Sequence, residues 1–87
     1  MVYFQPPTLD RTFAALADPT RRAILDMLRM SGTRTAGEIA APFSMSLAAV
    51  LKHLGVLAGA GLIQREKIGR TVRCTLDPGP MQDAQAW

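Results

Sequence analysis

Ser46-Leu-Ala-Ala-Val-Leu-Lys-His-Leu-Gly-Val-Leu57 is the segment on which the architecture turns. A serine hydroxyl can accept a bond from an orphan N–H of a first helical turn, so Ser46 reads as an N-cap. Val50, Leu54 and Leu57 follow at i, i+4 and i+7, which gives one apolar face. At about 100° per residue, Ala48, Lys52 and Gly55 point the opposite way. That outer face is small, with one cation and no acid. A helix of this kind can lie in a nucleic-acid groove, but the same pattern fits an ordinary surface helix. Its neighbours must discriminate.

Just upstream, Thr35-Ala-Gly-Glu38 matches a capping box, in which Thr35 and Glu38 bond each other's exposed N–H groups. A short helix is expected over Ala36 to Ala41, with Ile39 and Ala40 inward and Pro42 marking its boundary. Phe43-Ser44-Met45 forms the turn, with Phe43 and Met45 plugging the core. Short helix, turn and longer helix make the helix-turn-helix outline, whose second helix enters a major groove.

Downstream, Gly59 and Gly61 both suit a left-handed helix end. Leu62 to Ile68 and Thr71 to Leu76 read as two strands. In the second, Val72, Cys74 and Leu76 alternate with Thr71, Arg73 and Thr75, the period of a half-buried strand. Gly69-Arg70 is the tip between them, Gly supplying the positive φ of a tight turn. Lys67 and Arg70 therefore project near the end of a two-stranded ribbon.

Earlier in the chain, Asp18-Pro19 opens a helix, with Asp as cap and Pro at a position whose N–H is unpaired anyway. This helix should run to about Met30, with Ile24, Leu25 and Leu28 inward. Arg21, Arg22 and Arg29 are expected on its outward side, solvated in the commoner case, with phosphate contact by Arg21 and Arg22 as the alternative. Residues 1–8 read as an arm, and Thr8 as the cap of a first helix carrying Leu9, Phe13 and Leu16 at i, i+4, i+7. Tyr3 and Phe4 in the arm should cover an apolar surface. Thr33 to Thr35 could be a brief strand. Asp77-Pro78-Gly79-Pro80 is a break, and Met81 to Trp87 is about two turns of a last helix, marginal unless docked.

Composition narrows the class. The chain has 87 residues, 48% of them hydrophobic, and a net charge of +3, which suits one small globular domain. No apolar run approaches the ~20 residues of a membrane span, and the first residues do not make a secretory signal. Cys74 is the sole cysteine, so an intramolecular disulfide is impossible and a reducing cytoplasm is expected. The charge is uneven: residues 52–73 carry Lys52, Arg65, Lys67, Arg70 and Arg73 against Glu66 alone, a net +4. Clustered cations suit a polyanion such as DNA; a solvated basic face is the plainer alternative.

Ala14-Ala-Leu-Ala-Asp-Pro-Thr-Arg-Arg-Ala-Ile-Leu25 resembles the opening signature of the ArsR family of bacterial winged-helix regulators. The resemblance continues through Glu38-Ile-Ala40, Ser46 to Leu54, Val56-Leu57, Ala60-Gly-Leu-Ile63 and the hairpin with Gly69-Arg70, covering roughly residues 9–80. It implies an α+β, mainly α, winged helix-turn-helix domain of about five helices and a two-stranded hairpin. The helix-turn-helix would occupy about 35–59, the wing about 62–76, and residues 79–87 would start a dimerisation helix. It further implies a homodimer that binds operator DNA, usually as a repressor. By position, Ser46, Leu47, Ala48, Ala49, Leu51, Lys52 and His53 fall on the DNA-reading helix, and Lys67 and Arg70 on the wing. Tyr3, Phe4, Leu9, Phe13, Met81 and Trp87 are the candidate dimer contacts.

Three departures stand out. Leu51 replaces a small polar residue, Gly55 a frequent cation, and the family's last helix continues well past Trp87. Metal sensing in this family uses closely spaced cysteines on the helix before the reading helix, or His and carboxylates on the last one. Ala36 to Ala41 contains neither Cys nor His, and the last segment offers only Asp83, so no metal and no cofactor are expected. His53 is either a DNA contact or a core-edge histidine. Cys74 reads as a small buried hydrophobe with no cation beside it. No catalytic motif is present, so an enzyme is not expected. The rival to a DNA-binding regulator is a winged-helix protein-interaction module or a truncated regulator with weak DNA binding.

Overall fold

A computed structural model of the chain describes residues 7–77, with side chains from residue 10 onward. The elements are α1 (Pro7–Leu16), α2 (Pro19–Ser31), β1 (Thr33–Thr35), α3 (Ala36–Ala40), α4 (Leu47–Gly59), β2 (Ile63–Ile68) and β3 (Thr71–Leu76). Tyr3, Phe4, Met81 and Trp87, the far part of the expected arm and the expected fifth helix lie outside the described residues, as does the side chain of Leu9.

Local chemistry sets the helix starts. Asp18 Oδ2 accepts from the Arg21 N–H at 3.0 Å and caps α2. Thr35 and Glu38 form the capping box on α3, with bonds of 3.0 and 3.1 Å. Ser46 Oγ accepts from the Ala49 N–H at 3.1 Å and caps α4. The first helix starts at Pro7, before the expected cap Thr8. Proline is tolerated there because first-turn N–H groups have no partner within the helix.

The exit from α4 uses Gly61, at φ +74°, rather than Gly59. The Leu62 N–H reaches Leu57 O at 3.0 Å and the Gly61 N–H reaches Ala58 O at 2.9 Å. These two bonds make a Schellman motif, and the two leucines bracketing it are buried. The motif turns the chain directly from the helix into the hairpin.

The sheet has three strands, not two. β3 is central, in the order β1-β3-β2, and both pairings are antiparallel. Thr33 pairs with Thr75, their hydroxyls 3.0 Å apart. A two-stranded ribbon would leave the outer edge of β3 unpaired, and β1 satisfies it.

The core lies where α2, α3, α4 and the base of the sheet meet. Ile24, Leu28, Ile39, Val50, Leu54, Leu57 and Leu62 are fully enclosed, each worth roughly 1.5–3 kcal/mol of burial. Phe43 and Met45 pack against this cluster from the turn. On α1 the enclosed residues are Thr12 and Ala15, whereas Phe13 is 44% exposed. Of the Leu9–Phe13–Leu16 stripe, Leu16 packs against the core and Phe13 is turned outward.

Candidate nucleic-acid interface

The apolar face of α4 is held by Val50, Leu54 and Leu57. Over its first two turns Leu47, Ala48, Leu51 and Lys52 are exposed and Ala49 and His53 half-buried; further along, Val56 and Gly59 are exposed and Gly55 half-buried. Leu47 is 50% exposed and Leu51 38%. Ser46 is exposed, and its hydroxyl oxygen serves as the helix cap.

The hairpin stands beside this face. In its register Ile63 is opposite Leu76, Arg65 opposite Cys74, and Lys67 opposite Val72. Directly opposed residues share a face of the sheet, so Arg65 and Lys67 lie on the same side as buried Cys74. Gln64, Glu66 and Ile68 take the other side, with Glu66 opposite Arg73. Gly69 has φ +62°, and among the described residues none other than glycine has positive φ. Positive φ at the first central position alone is the type II′ pattern, and it places Arg70 at the tip. One surface depression is lined by Leu47 and Leu51 from α4, by Arg70, Thr71 and Val72 from the hairpin, and by Thr35, Ala36 and Gly37 at the start of α3. The outer face of the helix and the tip of the wing are therefore one continuous surface.

Arg65 joins this set, although the sequence reading counted it only as part of the basic excess. A Cβ built on Gly55 would sit 4.0 Å from Arg65 Nη1. The guanidinium thus lies over the position on α4 where a cation was missing. The signal that could have found it is the two-residue period of β2, which puts Arg65 and Lys67 on one face. Among the described residues, Lys52, Arg65, Lys67 and Arg70 have no acidic partner within 4.0 Å; Arg29 pairs with Asp26, and His53 Nδ1 lies 3.9 Å from Asp18 Oδ2.

Two expectations are corrected. Arg21 is not a solvated arginine but is half-buried. Its Nε donates to Ala15 O at 2.8 Å and its Nη2 to Ala14 O at 3.1 Å, while Arg22 Nη1 donates to Leu16 O at 2.7 Å. Both arginines satisfy the orphan carbonyls at the end of α1. Secondly, Cys74 does have a cation near it. The Arg65 charge pulls the thiol pKa down, but burial is the larger effect and pushes it up, so Cys74 stays a neutral, fully enclosed thiol.

His53 is half-buried, with Nδ1 3.4 Å from Arg21 Nη1 and 3.9 Å from Asp18 Oδ2. Arginine can only donate, so the shorter contact fits a neutral ring whose Nδ1 accepts. That nitrogen is turned to α2, leaving only Nε2 for any other partner. Asp18 itself is held below its ordinary pKa, first by the Arg21 N–H and also by the Arg21 charge. Glu38 is lowered too, first by the Thr35 N–H and then by its hydroxyl. Among the described residues, no three of His, Cys, Asp or Glu gather as a metal site, and no helix is long and apolar enough to cross a membrane.

A capped helix-turn-helix with a basic hairpin against its second helix defines a winged helix-turn-helix DNA-binding regulator. Comparison with known proteins agrees. Residues 16–66 match the family model described as a helix-turn-helix domain. The chain is 37% identical over 79 residues to transcriptional repressor SdpR of Bacillus subtilis, covering 91% of this chain and 87% of that protein. It is 42% identical over 69 residues to the HTH-type transcriptional regulator Rv2034 of Mycobacterium tuberculosis, covering 79% of this chain and 64% of that one. The crystal structure of the ArsR family transcriptional regulator RHA00566 superposes with a TM-score of 0.90 at 38% identity, over 99% of this chain and 88% of that one. The chain belongs to the ArsR family of winged helix-turn-helix transcriptional regulators, and it is a DNA-binding regulator of transcription.

Proposed function

We propose that the chain is a dimeric cytoplasmic repressor, without metal, cofactor or catalytic activity, that places α4 in the major groove of its operator. Lys52, Arg65, Lys67 and Arg70 then contact backbone phosphates, and the first two turns of α4 meet base edges. The observation that carries this reading is the continuity of the α4 face with the wing tip across the Leu47–Arg70 depression. The similarity to a named repressor supports the sign of regulation. Of the candidate dimer contacts, Phe13 is the one whose side chain is described, and it is exposed on α1.

A DNA titration at several salt concentrations tests the reading. Lys52→Ala and Arg70→Ala should each weaken binding on every sequence and lower the slope of log affinity against log salt by ~0.9. Unchanged affinity and slope in both variants would remove those residues from the interface. The exposed Leu47 and Leu51 favour a second reading, a protein-interaction module. If replacing Lys52, Lys67 and Arg70 together by Glu leaves regulation in the cell intact, that second reading replaces the first.

A further inference from the structure

The exposed start of α4 has an unusual chemistry for a groove reader. Residues 47–59 contain no Asn, Gln, Arg, Asp, Glu, Ser or Thr. Bidentate recognition of guanine or adenine needs Arg, Asn or Gln, and a cytosine amino group needs an acceptor. None is available along the helix. Lys52 is a flexible point charge suited to a phosphate. His53 turns Nδ1 to α2 and keeps only Nε2, and the Ser46 hydroxyl accepts the Ala49 N–H as the cap. Each therefore retains at most a single polar atom, and neither can make a bidentate contact. What the first two turns present is Leu47, Ala48 and Leu51, all exposed.

The major groove has one apolar feature, the 5-methyl group of thymine. Leu47 and Leu51 are one turn apart, about 6 Å along the axis, comparable with two base-pair steps of ~3.4 Å. The same depression is also lined by Arg70, Thr71 and Val72 of the hairpin and by Thr35, Ala36 and Gly37 at the start of α3, with Lys52 beside Leu51 on the helix. An apolar protein segment lying there would bury unpaired cations, which is costly. A duplex puts phosphates against them and methyl groups against the leucines.

We propose that this regulator recognises its operator chiefly through thymine 5-methyl groups, with Leu47 and Leu51 as the specificity-determining side chains. The proposal rests on the DNA-binding reading above and names what that surface reads. G·C pairs under these leucines are disfavoured, because their polar edges are desolvated as those of T·A pairs are but no methyl group offsets the loss.

The test starts by selecting tight-binding duplexes from a random pool with the full chain. In the selected site, thymines are then replaced one at a time by deoxyuridine, which removes only the methyl group. The proposal expects a T·A-rich half-site and about a fourfold loss of affinity at each contacted thymine, the worth of one buried methyl. Leu47→Ala and Leu51→Ala should each abolish the thymine-over-uracil preference at one position. Their salt slope should stay that of the parent chain, because no phosphate contact is removed, and an unchanged far-UV circular dichroism spectrum shows that the variants remain folded. A specifically bound duplex that tolerates uracil everywhere, or a selected core without thymine, overturns the proposal and leaves the regulator reading standing. If no sequence is bound above the non-specific level, the regulator reading fails with it.

Discussion

At the scale of single residues, the interface depends on where a cation is anchored rather than on which element supplies it. Arg65 reaches over Gly55 from β2, so the charge on that part of α4 comes from the sheet. Arg65→Ala should weaken DNA binding and lower the salt slope by ~0.9. Adding Gly55→Lys to that variant should restore both, because the Arg65 tip is the nearest group that a new Cβ would meet. A salt titration of the single and double variants checks this, and failure of the double variant to recover would separate Arg65 from the phosphates. The caps make a second, independent prediction. Asp18 and Glu38 have lowered pKa values in the folded chain. A depressed carboxyl contributes stability above its unfolded pKa and loses it as pH falls through the folded one. Below about pH 4, the native chain should therefore lose stability faster than an Asp18→Asn, Glu38→Gln variant, whose caps do not titrate. Urea midpoints at pH 6 and at pH 3 would measure it, and parallel decline of the two proteins would count against the caps.

At the scale of elements, the hairpin turn fixes the direction of the wing. Gly69 sits at φ +62° with open space around it, so the cost of a side chain there is backbone strain alone. Gly69→Val should destabilise the chain by about 1–2 kcal/mol, the penalty of an L-residue in the left-handed region. It should also weaken DNA binding beyond what the stability loss explains, since Arg70 follows directly. Urea denaturation paired with a DNA titration separates the two effects. An unaltered midpoint would mean that the turn can adopt another conformation at no cost. The first helix teaches a related lesson. Its periodicity was sufficient to show that it is a helix, but Thr12 and Ala15 face the core while Phe13 faces out. An i, i+4, i+7 stripe marks an apolar face without saying which surface it meets.

At the scale of the molecule, the proposed dimer can be tested at the exposed aromatic on α1. A domain of this size buries only on the order of 60% of its unfolded surface, so covering Phe13 with a second copy adds apolar burial that the single chain lacks. Phe13→Asp should shift the protein from dimer to monomer in sedimentation, with its far-UV circular dichroism retained, because the residue is not part of the described core. A variant that stays dimeric would place the contact elsewhere. Weaker operator binding should accompany monomer formation, since paired half-sites are read by paired reading helices.

Much of the architecture was legible before any coordinates. The Asp18, Thr35 and Ser46 caps, the helices they start, the inward Ile24, Leu25 and Leu28, and the hairpin about Gly69-Arg70 rest on signals within about four residues of one another. Such signals are encoded locally and survive without knowledge of packing. Arg21 and Arg22 as caps of the preceding helix, the turn of His53 towards α2, and Arg65 over Gly55 were not legible. Nor was the pairing of β1 with β3, which joins Thr33 to Thr75 across 42 positions. In each case a polar group chose among many possible partners, and the choice depended on which orphan carbonyl, strand edge or helix face the packed core brought within hydrogen-bond reach.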